Sequence, residues 1–415
     1  MADRRVVITG IGPITPIGTG VEPFWQGLRS ATSAVRRVTR FDPAPFRSQV
    51  AAEVDDFDPG KWIDPRRARR LDRCSLFSLG AARLALLDAG IELDREDPDR
   101  VGAMMGTALG GVAYAEAEHG KYLSGGLRAV EPGLALTVFV GASSCNLAIA
   151  LGISGPNITN GMSCASGAIA IGEAFRSIQR GEADVMIAGG AEAPLSPLSY
   201  GALAIIRAMS TRNDDPATAS RPFDRDRDGF VMAEGAAVLV LEERERARAR
   251  GTRGYVEIIG YGLTNDAHHM TAPRPDGRQA ARAMHAALSS SGTAPEAVTY
   301  VNAHGSSTPL NDPTEALALR TVMGPHAERV RISGTKGYYG HALGASGAIE
   351  AAICALAARR SWLPPSVNLQ QPDPACELDY VRGKGESVEP EYLLSNSFGF
   401  GGVNASLLFK TANGQ

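Results

Sequence analysis

The chain has 415 residues, of which 44% are hydrophobic and 21% charged, and 42 Lys and Arg against 45 Asp and Glu give a net charge of −3. This composition is typical of a soluble globular protein and gives no sign of a nucleic acid or an anionic membrane as a partner. The five cysteines form no CxxC pair, so we expect neither a disulfide framework nor a zinc site, and a reducing, cytoplasmic interior fits better. We expect no secretory signal, because the N-terminal segment leads straight into a predicted strand, and no apolar run reaches the ~20 residues of a membrane helix.

Short apolar runs alternate with helical patterns along the chain, and this alternation favours an α/β fold with mostly parallel strands. The predicted strands are Arg5–Thr9, Val101–Met105, Val185–Ala188, Ala236–Leu241, Tyr255–Ile259, Val298–Asn302 and Tyr392–Ser395. The predicted helices are Ser75–Asp88, Ser166–Arg180, Arg278–Ser290, Pro313–Val322 and Ser346–Ala358.

Two parts of the chain repeat each other in the same order. Val6–Gly12 resembles Val256–Gly262, and Ser166–Ile169 matches Ser346–Ile349 at the start of a predicted helix in each part. Between these two matches, Val101–Gly106 and Val298–Gly305 both read as a strand that runs on to a glycine. Several such matches in one order are better explained by duplication than by chance. We therefore predict two similar βα halves with a functional site between them.

The boundary between the halves is marked by the charged run Glu242–Arg250. Its composition predicts a helix, and like most charge runs it is interpreted as a solvated connection. The predicted halves are therefore residues 1–252 and 253–415.

One cysteine has the setting of a nucleophile. Cys164 follows the glycine-containing stretch Gly155–Met162 and precedes a predicted helix of small residues, so it lies near a helix N-terminus. The helix dipole and the free N–H groups there favour a thiolate, which is the reactive form of a thiol. The alternative is a buried structural cysteine, which is the interpretation that suits Cys145, Cys354 and Cys376.

Two histidines lie in polar, glycine-containing segments far along the chain. His304 ends a predicted strand, and His341 follows Lys336 by five residues in a glycine-rich loop. A histidine at the C-terminal edge of a parallel strand points towards the crevice in which α/β sites form. A capping or supporting histidine is the alternative at His304. The pair His268 and His269 has no carboxylate or cysteine at a usual ligand spacing and is interpreted as part of a loop near the site.

The segment Asn396–Asn404 alternates aromatic residues and glycines around Phe398 and Phe400. Such a pattern suits a gate, or a loop whose amide points at an oxyanion. A glycine-rich hairpin with core phenylalanines is the alternative.

The segment Asp64–Asp72 concentrates positive charge on a chain whose net charge is −3. A charge run is usually only a solvated face. Here, however, the cations lie at the predicted start of a helix, where the dipole disfavours them, and this placement points to an acidic partner. The four residues are Arg66, Arg67, Arg69 and Arg70.

Taken together, these blocks resemble the elongating β-ketoacyl-acyl-carrier-protein synthases of the thiolase superfamily, and among them the synthase II type. The resemblance spans nearly the whole chain, and its specificity comes from several blocks in one order. Beyond the segments above, it is carried by Val7–Gly18, Ser210–Asn213, Ser220–Asp224, Arg227–Gly235 and Gly402–Ser406. It implies the thiolase fold, in which duplicated βα halves form a layered α-β-α-β-α sandwich.

The resemblance also implies a reaction. Cys164 would take an acyl chain from an acyl-carrier protein as a thioester, with the amides of Cys164 and Phe400 as the oxyanion hole. His304 and His341 would stabilise the enolate formed when malonyl-carrier protein loses CO₂, and the carbanion would then attack the acyl-enzyme.

Supporting roles follow from the same resemblance. Lys336 is expected to act electrostatically, paired with Glu315, and a lysine beside two histidines helps to keep them neutral. The residues implied for the phosphopantetheine arm and the acyl chain are Ser306, Thr308, Thr271, Asp266, Leu109 and Phe398, and Asp312 is implied as a supporting residue. Arg207 and the four arginines above are implied in docking of the acidic carrier protein. A structural monovalent cation is implied at Asn302, Glu350, Ser395 and Asn396.

The implied partners are acyl- and malonyl-carrier proteins, with the phosphopantetheine arm as substrate carrier and no tightly bound cofactor. The resemblance further implies a dimer, a homodimer or a heterodimer, with residues near Leu136–Phe139 lining the partner's tunnel. The leading interpretation is condensation in type II fatty-acid synthesis. The alternative is the ketosynthase of a type II polyketide pathway, alone or with a chain-length-factor partner.

Other classes fit less well. A catalytically inactive partner subunit would not need the retained cysteine and histidines, and a degradative thiolase would need a second cysteine that Gly399–Gly402 lacks. A thiol hydrolase would need a water-activating base and an open site, and malonyl-dependent carbon–carbon bond formation distinguishes a synthase from it. The sequence also departs from the family pattern with Gly-Met-Ser before Cys164 and with Ser306 in place of a more usual threonine. Further departures, Tyr338, Tyr339, Ile205 and Ile206, are bulky, and we expect such residues near a tunnel to shorten or reshape it.

Overall fold

The structure is a computed structural model that describes residues 4–412. Its strands are β1 Val6–Thr15, β2 Gly18–Thr19, β3 Arg36–Arg37, β4 Val50–Ala52, β5 Val101–Gly106, β6 Asn157–Asn160, β7 Val185–Glu192, β8 Met232–Ala233, β9 Gly235–Glu243, β10 Val256–Asn265, β11 Val298–Asn302, β12 Arg331–Ser333, β13 Tyr392–Gly399 and β14 Val403–Thr411. Its α-helices are α1 Val21–Ser30, α2 Pro65–Ala68, α3 Arg73–Ala89, α4 Val112–Gly125, α5 Leu134–Val138, α6 Ala142–Leu151, α7 Ser166–Gln179, α8 Pro197–Ile205, α9 Arg244–Ala249, α10 Arg278–Ser291, α11 Asn311–Met323, α12 Lys336–Tyr339 and α13 Ser346–Arg360.

The main sheet consists of two halves with the same strand order. One half runs β1-β9-β7-β5-β6 and the other runs β10-β14-β13-β11-β12, and the halves meet where β1 pairs with β10. That pairing is antiparallel and joins Val6–Ile8 to Val256–Ile258. The repeat that the sequence predicts is therefore present as two matching half-sheets.

The expectation of mostly parallel strands is wrong, because the sheet is mixed. Strand β5 is parallel to both of its neighbours, and β11 likewise, but β7–β9 and β13–β14 are antiparallel. Strands β13 and β14 are separated only by Phe400–Gly402, and so short a connection can join only antiparallel strands.

Helices lie on both faces of each half-sheet and produce the predicted layers. Helix α3 packs on β1 and β9, and α10 packs on β10 and β14. Between the half-sheets, α7 contacts β5 and β7, α13 contacts β9 and β13, and the two helices contact each other. Both helices are almost wholly buried along their length, so the centre of the molecule is an apolar layer of small side chains.

Glycines explain why the two halves share a motif at their first strands. A Cβ on Gly12 would come within 2.0 Å of the Ala81 carbonyl oxygen of α3. A Cβ on Gly262 would come within 1.9 Å of the Ala283 carbonyl oxygen of α10. Each outer helix thus packs directly on strand backbone, which only glycine permits.

Every predicted strand and helix is present, and most run several residues beyond the predicted ends. The charged run Glu242–Arg250 starts at the end of β9 and then forms the short helix α9, as expected, but its first residue, Glu242, is not solvated. Glu242 is fully buried and pairs with Arg246 and Arg250, because these side chains fold back over the strand end. No helix within residues 4–412 has both the length and the apolar character that crossing a membrane requires.

Candidate active site

Cys164 sits on a sharp turn at the start of α7. Ser163, Cys164 and Ala165 form a 3₁₀ turn, and Ser163 has a φ of 51°, in the left-handed region that non-glycine residues rarely adopt. The Ser166 hydroxyl donates to the carbonyl of Ser163 at 2.7 Å and also reaches that of Thr107 at 3.1 Å. The turn is therefore held from both sides, and the predicted position of the cysteine at a helix N-terminus is correct.

A cavity of about 350 Å³ opens beside this turn and brings together most of the predicted site. Cys164, His304 and His341 all line it, although they are far apart in sequence. The predicted residues that share the cavity with them are Phe398, Phe400, Ser306, Thr308, Thr271, Asp266, Leu109 and Arg207.

Lys336 orients His304 from behind. The Lys336 ammonium lies 3.4 Å from Nδ1 of His304 and donates to the His304 carbonyl at 2.5 Å and to the Glu350 carboxylate. Because an ammonium group can only donate, Nδ1 of His304 must accept, and the ring proton is then on Nε2. His304 can therefore donate an N–H bond from Nε2.

His341 is oriented by the second half's central helix. Its Nδ1 lies 2.9 Å from the hydroxyl of Ser346, the first residue of α13. When that hydroxyl donates, the proton of His341 is also on Nε2. The two imidazole rings are 5.3 Å apart between centroids and nearly perpendicular.

Both histidines are neutral in this environment. Burial lowers the pKa of His304 well below its usual value, and the positive charge of Lys336 lowers it further. Burial and then Lys336 lower the pKa of His341 in the same direction. The expectation that the lysine helps to keep the histidines neutral is consistent with these directions, with burial as the larger cause.

The sequence predicts that the surroundings of Cys164 favour the thiolate, but in the structure they favour the thiol. Burial raises the pKa of the thiol, and it outweighs the opposing effects of the Ser163 hydroxyl, the Lys336 charge and the backbone N–H of Phe400. The resting group at neutral pH is therefore a thiol. The Phe400 amide nevertheless acts to lower the pKa of the thiol, as expected of a loop whose amide serves an oxyanion.

The predicted pairing of Lys336 with Glu315 is wrong, because Lys336 pairs with Glu350 on α13. Glu315 instead accepts from the backbone N–H groups of His304 and Gly305, each at 2.8 Å. Burial raises the pKa of Glu315 to about 7. Its role is to fix the backbone that carries His304.

Asp312 supports the neighbouring loop. It is fully buried, accepts from the Phe223 N–H at 2.8 Å and faces Arg227 at 3.7 Å. Burial raises the pKa of Asp312 despite the arginine. Ser306 and Thr308, which precede it, have their hydroxyl groups 2.9 Å apart at the cavity wall.

The segment Asn396–Asn404 is a β-hairpin rather than an irregular loop, because its first residues complete β13. Its turn is fastened to a second loop: the Asn404 amide donates to Asp266 at 2.8 Å, and the Gly401 N–H donates to the Met270 carbonyl at 2.7 Å. Thr271 continues that second loop on the exposed side. Phe398 is buried, while Phe400 is only partly covered at the tip.

The residues predicted to hold a monovalent cation are all buried next to the Lys336–Glu350 pair. Glu350 keeps one oxygen without a hydrogen-bond partner, and so does the hydroxyl of Ser395. Asn396 is bonded to Ser406 and Glu315, and the Oδ1 atom of Asn302 accepts from Thr335. Unpartnered oxygens are the ligands that a hard cation uses, and only Glu350 and Ser395 of the four residues offer one, while the Nδ2 atom of Asn302 is an unpartnered donor.

Comparison with known proteins decides the family. The model of the β-ketoacyl synthase N-terminal domain matches residues 3–247, and the model of its C-terminal domain matches residues 255–370. The chain belongs to the β-ketoacyl synthase family. The predicted division at residue 252 lies between the two matches, and as a structural boundary it stays a prediction.

The similarity of this β-ketoacyl synthase to its relatives covers nearly the whole chain. It is 46% identical to 3-oxoacyl-acyl-carrier-protein synthase 2 of Synechocystis sp. and 43% identical to that of Coxiella burnetii, over 98% of this chain and 98% and 99% of theirs. Among solved structures, the ishigamide ketosynthase/chain length factor superposes with a TM-score of 0.93 at 36% identity, covering 99% of this chain and 100% of that one. A type II polyketide ketosynthase in complex with its acyl-carrier protein gives 0.91 at 33% identity, with 99% of each chain covered. These similarities confirm the thiolase fold and the resemblance.

The mouth of the synthase's cavity combines apolar and cationic side chains. Met270, Leu310 and Ile206 line it and are 72%, 59% and 46% exposed, and the neighbouring Ile205 is 79% exposed. Arg207, also at the mouth, is exposed.

The remaining arginines of the predicted docking patch lie around α2. Arg66 and Arg67 are in this four-residue helix, capped by Asp64, whereas Arg69 and Arg70 follow it. Arg66, Arg69 and Arg70 are exposed and Arg67 is partly exposed. Within residues 4–412, neither these arginines nor Arg207 form an ion pair.

Sequence reasoning missed part of the cavity wall and misplaced another part. Leu203, Phe230 and Leu343 line the cavity, and no site role was predicted for them, although Phe230 lies in the block Arg227–Gly235. Tyr338 and Tyr339 do not reshape the tunnel, because both are fully buried in the core behind it. Of the bulky residues that were expected there, only Ile206 lines the cavity.

Proposed function

We propose that this β-ketoacyl synthase joins a malonyl unit to an acyl chain held on Cys164, in type II fatty-acid synthesis. The observation that carries the proposal is that one cavity holds a thiol and two neutral histidines. The relatives named 3-oxoacyl-acyl-carrier-protein synthase 2 support the fatty-acid assignment.

In the first step, the sulfur of Cys164 attacks the thioester carbonyl of an acyl-carrier protein. The bond from that carbonyl to the phosphopantetheine sulfur breaks, and the arm leaves as a thiol with the proton that Cys164 loses. The transient oxyanion is proposed to accept from the amides of Cys164 and Phe400, and the latter already acts to lower the pKa of the thiol.

In the second step, malonyl-carrier protein loses CO₂ and leaves an enolate. The Nε2–H groups of His304 and His341 are proposed to donate to its oxygen, since neutral imidazoles stabilise an anion without giving up a proton. The enolate carbon attacks the acyl carbonyl, the bond to Cys164 breaks, and the thiolate is released to take up a proton. Lys336 holds His304 in the tautomer that this step needs.

Carrier proteins are the proposed partners, with the phosphopantetheine arm entering past Ser306, Thr308 and Thr271. The solved complex of a related ketosynthase with its acyl-carrier protein supports this. The docking surface is proposed to comprise Arg207 and the arginines around α2, because these cations have no acidic partner among residues 4–412. A structural monovalent cation is proposed at the Glu350 and Ser395 oxygens, where it would coordinate the two oxygens that lack a hydrogen-bond partner.

Charge reversal tests the docking surface. Replacing Arg66, Arg67, Arg69 and Arg70 by Glu should raise KM for carrier-protein substrates while leaving short acyl thioesters nearly unaffected. The same four changes with Gln separate charge from side-chain volume. Unchanged carrier-protein kinetics in the Glu variant would assign docking to another face.

A homodimer is the proposed assembly. Strand β6 is an edge of the sheet, and Ile158 on it is half-exposed. Exposed apolar residues of the adjoining helices α4, α5 and α6 continue this face, namely Leu123, Leu136 and Ile149. Such a face is typical of a subunit interface, and it includes the segment expected to line a partner's tunnel. All five cysteines are free thiols, which suits the proposed cytoplasmic location.

A polyketide ketosynthase is the second candidate, since two of the similar solved structures belong to that class. Intact-mass spectrometry separates the two. The protein is incubated with carrier-protein thioesters of short, long and polyunsaturated chains, and then with malonyl-carrier protein. Broad loading of saturated chains on Cys164, with extension by two carbons, supports fatty-acid synthesis. Loading limited to short or conjugated chains, or only with an added partner subunit, supports the polyketide pathway, and no loading at all contradicts both.

A further inference from the structure

Glu192 is a buried carboxylate in the active-site region to which the reaction above gives no role. It is the last residue of β7, is fully buried, and has no cationic partner among residues 4–412. A buried carboxylate is costly unless its oxygens are satisfied by hydrogen bonds. Glu192 meets this cost with four donors, which come from two different segments of the chain.

The first segment is the loop between β5 and α4. The Ala108 N–H donates to one carboxylate oxygen at 2.6 Å, and the Leu109 N–H and the Thr107 hydroxyl donate to the other, each at 3.1 Å. Ala108 and Leu109 line the catalytic cavity. One side chain therefore fixes the backbone of one cavity wall.

The second segment is the turn before α13. The Gly344 N–H donates to Glu192 at 3.0 Å, to the same oxygen that Ala108 uses. Leu343, just before it, lines the cavity with a φ of 40°. The two walls touch directly here, because a Cβ on Gly344 would lie 2.4 Å from the Ala108 nitrogen.

The contact between Gly344 and Glu192 has a counterpart in the first half of the chain. Leu343-Gly344-Ala345-Ser346-Gly347 takes the place in the second half that Ser163-Cys164-Ala165-Ser166-Gly167 takes in the first. The amide of Gly344 thus corresponds to the Cys164 amide, the proposed oxyanion donor. In the second half, the anion that this amide binds is the side-chain carboxylate of Glu192.

We propose that Glu192 is a positioning residue that holds Leu109 and Leu343 at a fixed separation and thereby sets which acyl chains the cavity accepts. The proposal rests on the function proposed above. It assigns to Glu192 no contact with the reacting atoms.

The variant Glu192→Gln tests the proposal because it keeps the volume and changes the bonds. An amide NH₂ must replace one oxygen. It fits better next to Thr107, whose hydroxyl can turn and accept, than next to the Ala108 and Gly344 N–H groups, which can only donate. The Leu109 amide then loses its acceptor, and the wall that carries Leu109 is released.

The assay follows acylation of Cys164 by intact mass, with hexanoyl-, decanoyl- and hexadecanoyl-carrier protein as donors. The rate for hexadecanoyl relative to hexanoyl should rise about tenfold in E192Q, because a released wall admits longer chains and packs less well on short ones. Malonyl-carrier protein decarboxylation without an acyl donor should stay within about twofold of wild type, since His304 and His341 keep their partners. A purely structural residue would lower all rates together.

Glu242→Gln is the matched control, because Glu242 is equally buried, near the end of β9, and contacts no cavity residue. It should leave the chain-length ratio unchanged. If E192Q does not fold, Glu192→Asp keeps the charge but is too short to reach both walls, and the same rise is expected. An unchanged ratio in a folded Glu192 variant, or an equal change in E242Q, would overturn the proposal. If the wild type is not acylated by any donor, it is the proposed function that fails.

Discussion

The turns that start α7 and α13 have one backbone design and two uses. Both are 3₁₀ turns whose first residue is left-handed, Ser163 with a φ of 51° and Leu343 with 40°. The first turn presents the thiol of Cys164 to the cavity, whereas the second has Gly344 at the matching position. The two repeated turns thus have a cysteine in one half and a glycine in the other at the same position.

The difference shows what each turn must do. Without a side chain at Gly344, its backbone can approach Thr107 and Ala108, and the following Ser346 is free to hold His341. In the first half, Ser166 instead donates to backbone carbonyls and stabilises the turn that carries Cys164. The turn of the first half therefore presents a thiol, and that of the second half orients a histidine.

The largest effect is expected when the first turn is made inert. Cys164→Ala should lower acyl-enzyme formation by at least about 10³-fold, because no other thiol lines the cavity. Intact-mass spectrometry after incubation with an acyl-carrier protein measures the adduct. Cys145→Ala, at a partly exposed cysteine outside the cavity, is the control and should be acylated normally. An adduct that persists in C164A would contradict the assignment.

Removing the histidines should separate the two chemical steps. His304→Ala and His341→Ala should each lower malonyl decarboxylation by about 10²- to 10³-fold, which is the usual cost of one oxyanion donor. Acylation of Cys164 should partly survive in both. CO₂ release measures the first step and intact mass the second, and His119→Ala, at an exposed histidine, is the control. Equal loss of both steps would indicate that the histidines only maintain structure.

Giving the second turn a side chain should destabilise the protein. Gly344→Ala places a Cβ 2.4 Å from the Ala108 nitrogen, and we expect the free energy of unfolding to fall by about 2–4 kcal/mol. Urea denaturation followed by circular dichroism measures this. Gly120→Ala on α4 has no atom within 4 Å of its new Cβ and should be neutral or slightly stabilising. If both variants unfold alike, the turn at Gly344 is not in the close contact described with the loop at Thr107 and Ala108.

The smallest expected effect is on the pH dependence of the rate at which Cys164 is alkylated. Because burial raises the pKa of Cys164 and only the thiolate reacts, alkylation by iodoacetamide should increase about tenfold per pH unit from pH 7 to 9 without levelling off. Peptide mass spectrometry gives the rate for Cys164, and free glutathione corrects for the reagent. A plateau below pH 8 would mean that the resting group is a thiolate.

The sequence was a good guide wherever local pattern and repetition determine structure. The strand that ends at Asn302 placed His304 at a strand end, and the matching Ser166 and Ser346 segments marked the two central helices correctly. These features follow from periodicity and from small residues, both of which are visible in one dimension.

Features that depend on the third dimension were missed. The sequence spacing does not show that Lys336 pairs with Glu350 rather than with Glu315. Both carboxylates are buried near the lysine, and the position of α13 determines which of them it reaches. Tyr338 and Tyr339 point into the core since α12 turns them away from the cavity. Glu192 left one signal, a charged residue that ends an otherwise apolar strand.

The apolar residues at the cavity mouth bear on how a hydrocarbon moves between proteins. Each methylene that enters water during transfer costs about 0.8 kcal/mol, so a long chain crossing an aqueous gap would meet a steep barrier. Ile206, Met270 and Leu310 offer such a chain an oily surface before it reaches the sulfur. The acyl chain would then pass from the carrier protein to the cavity without full exposure to water. The free-energy barrier to transfer would no longer grow with the length of the chain.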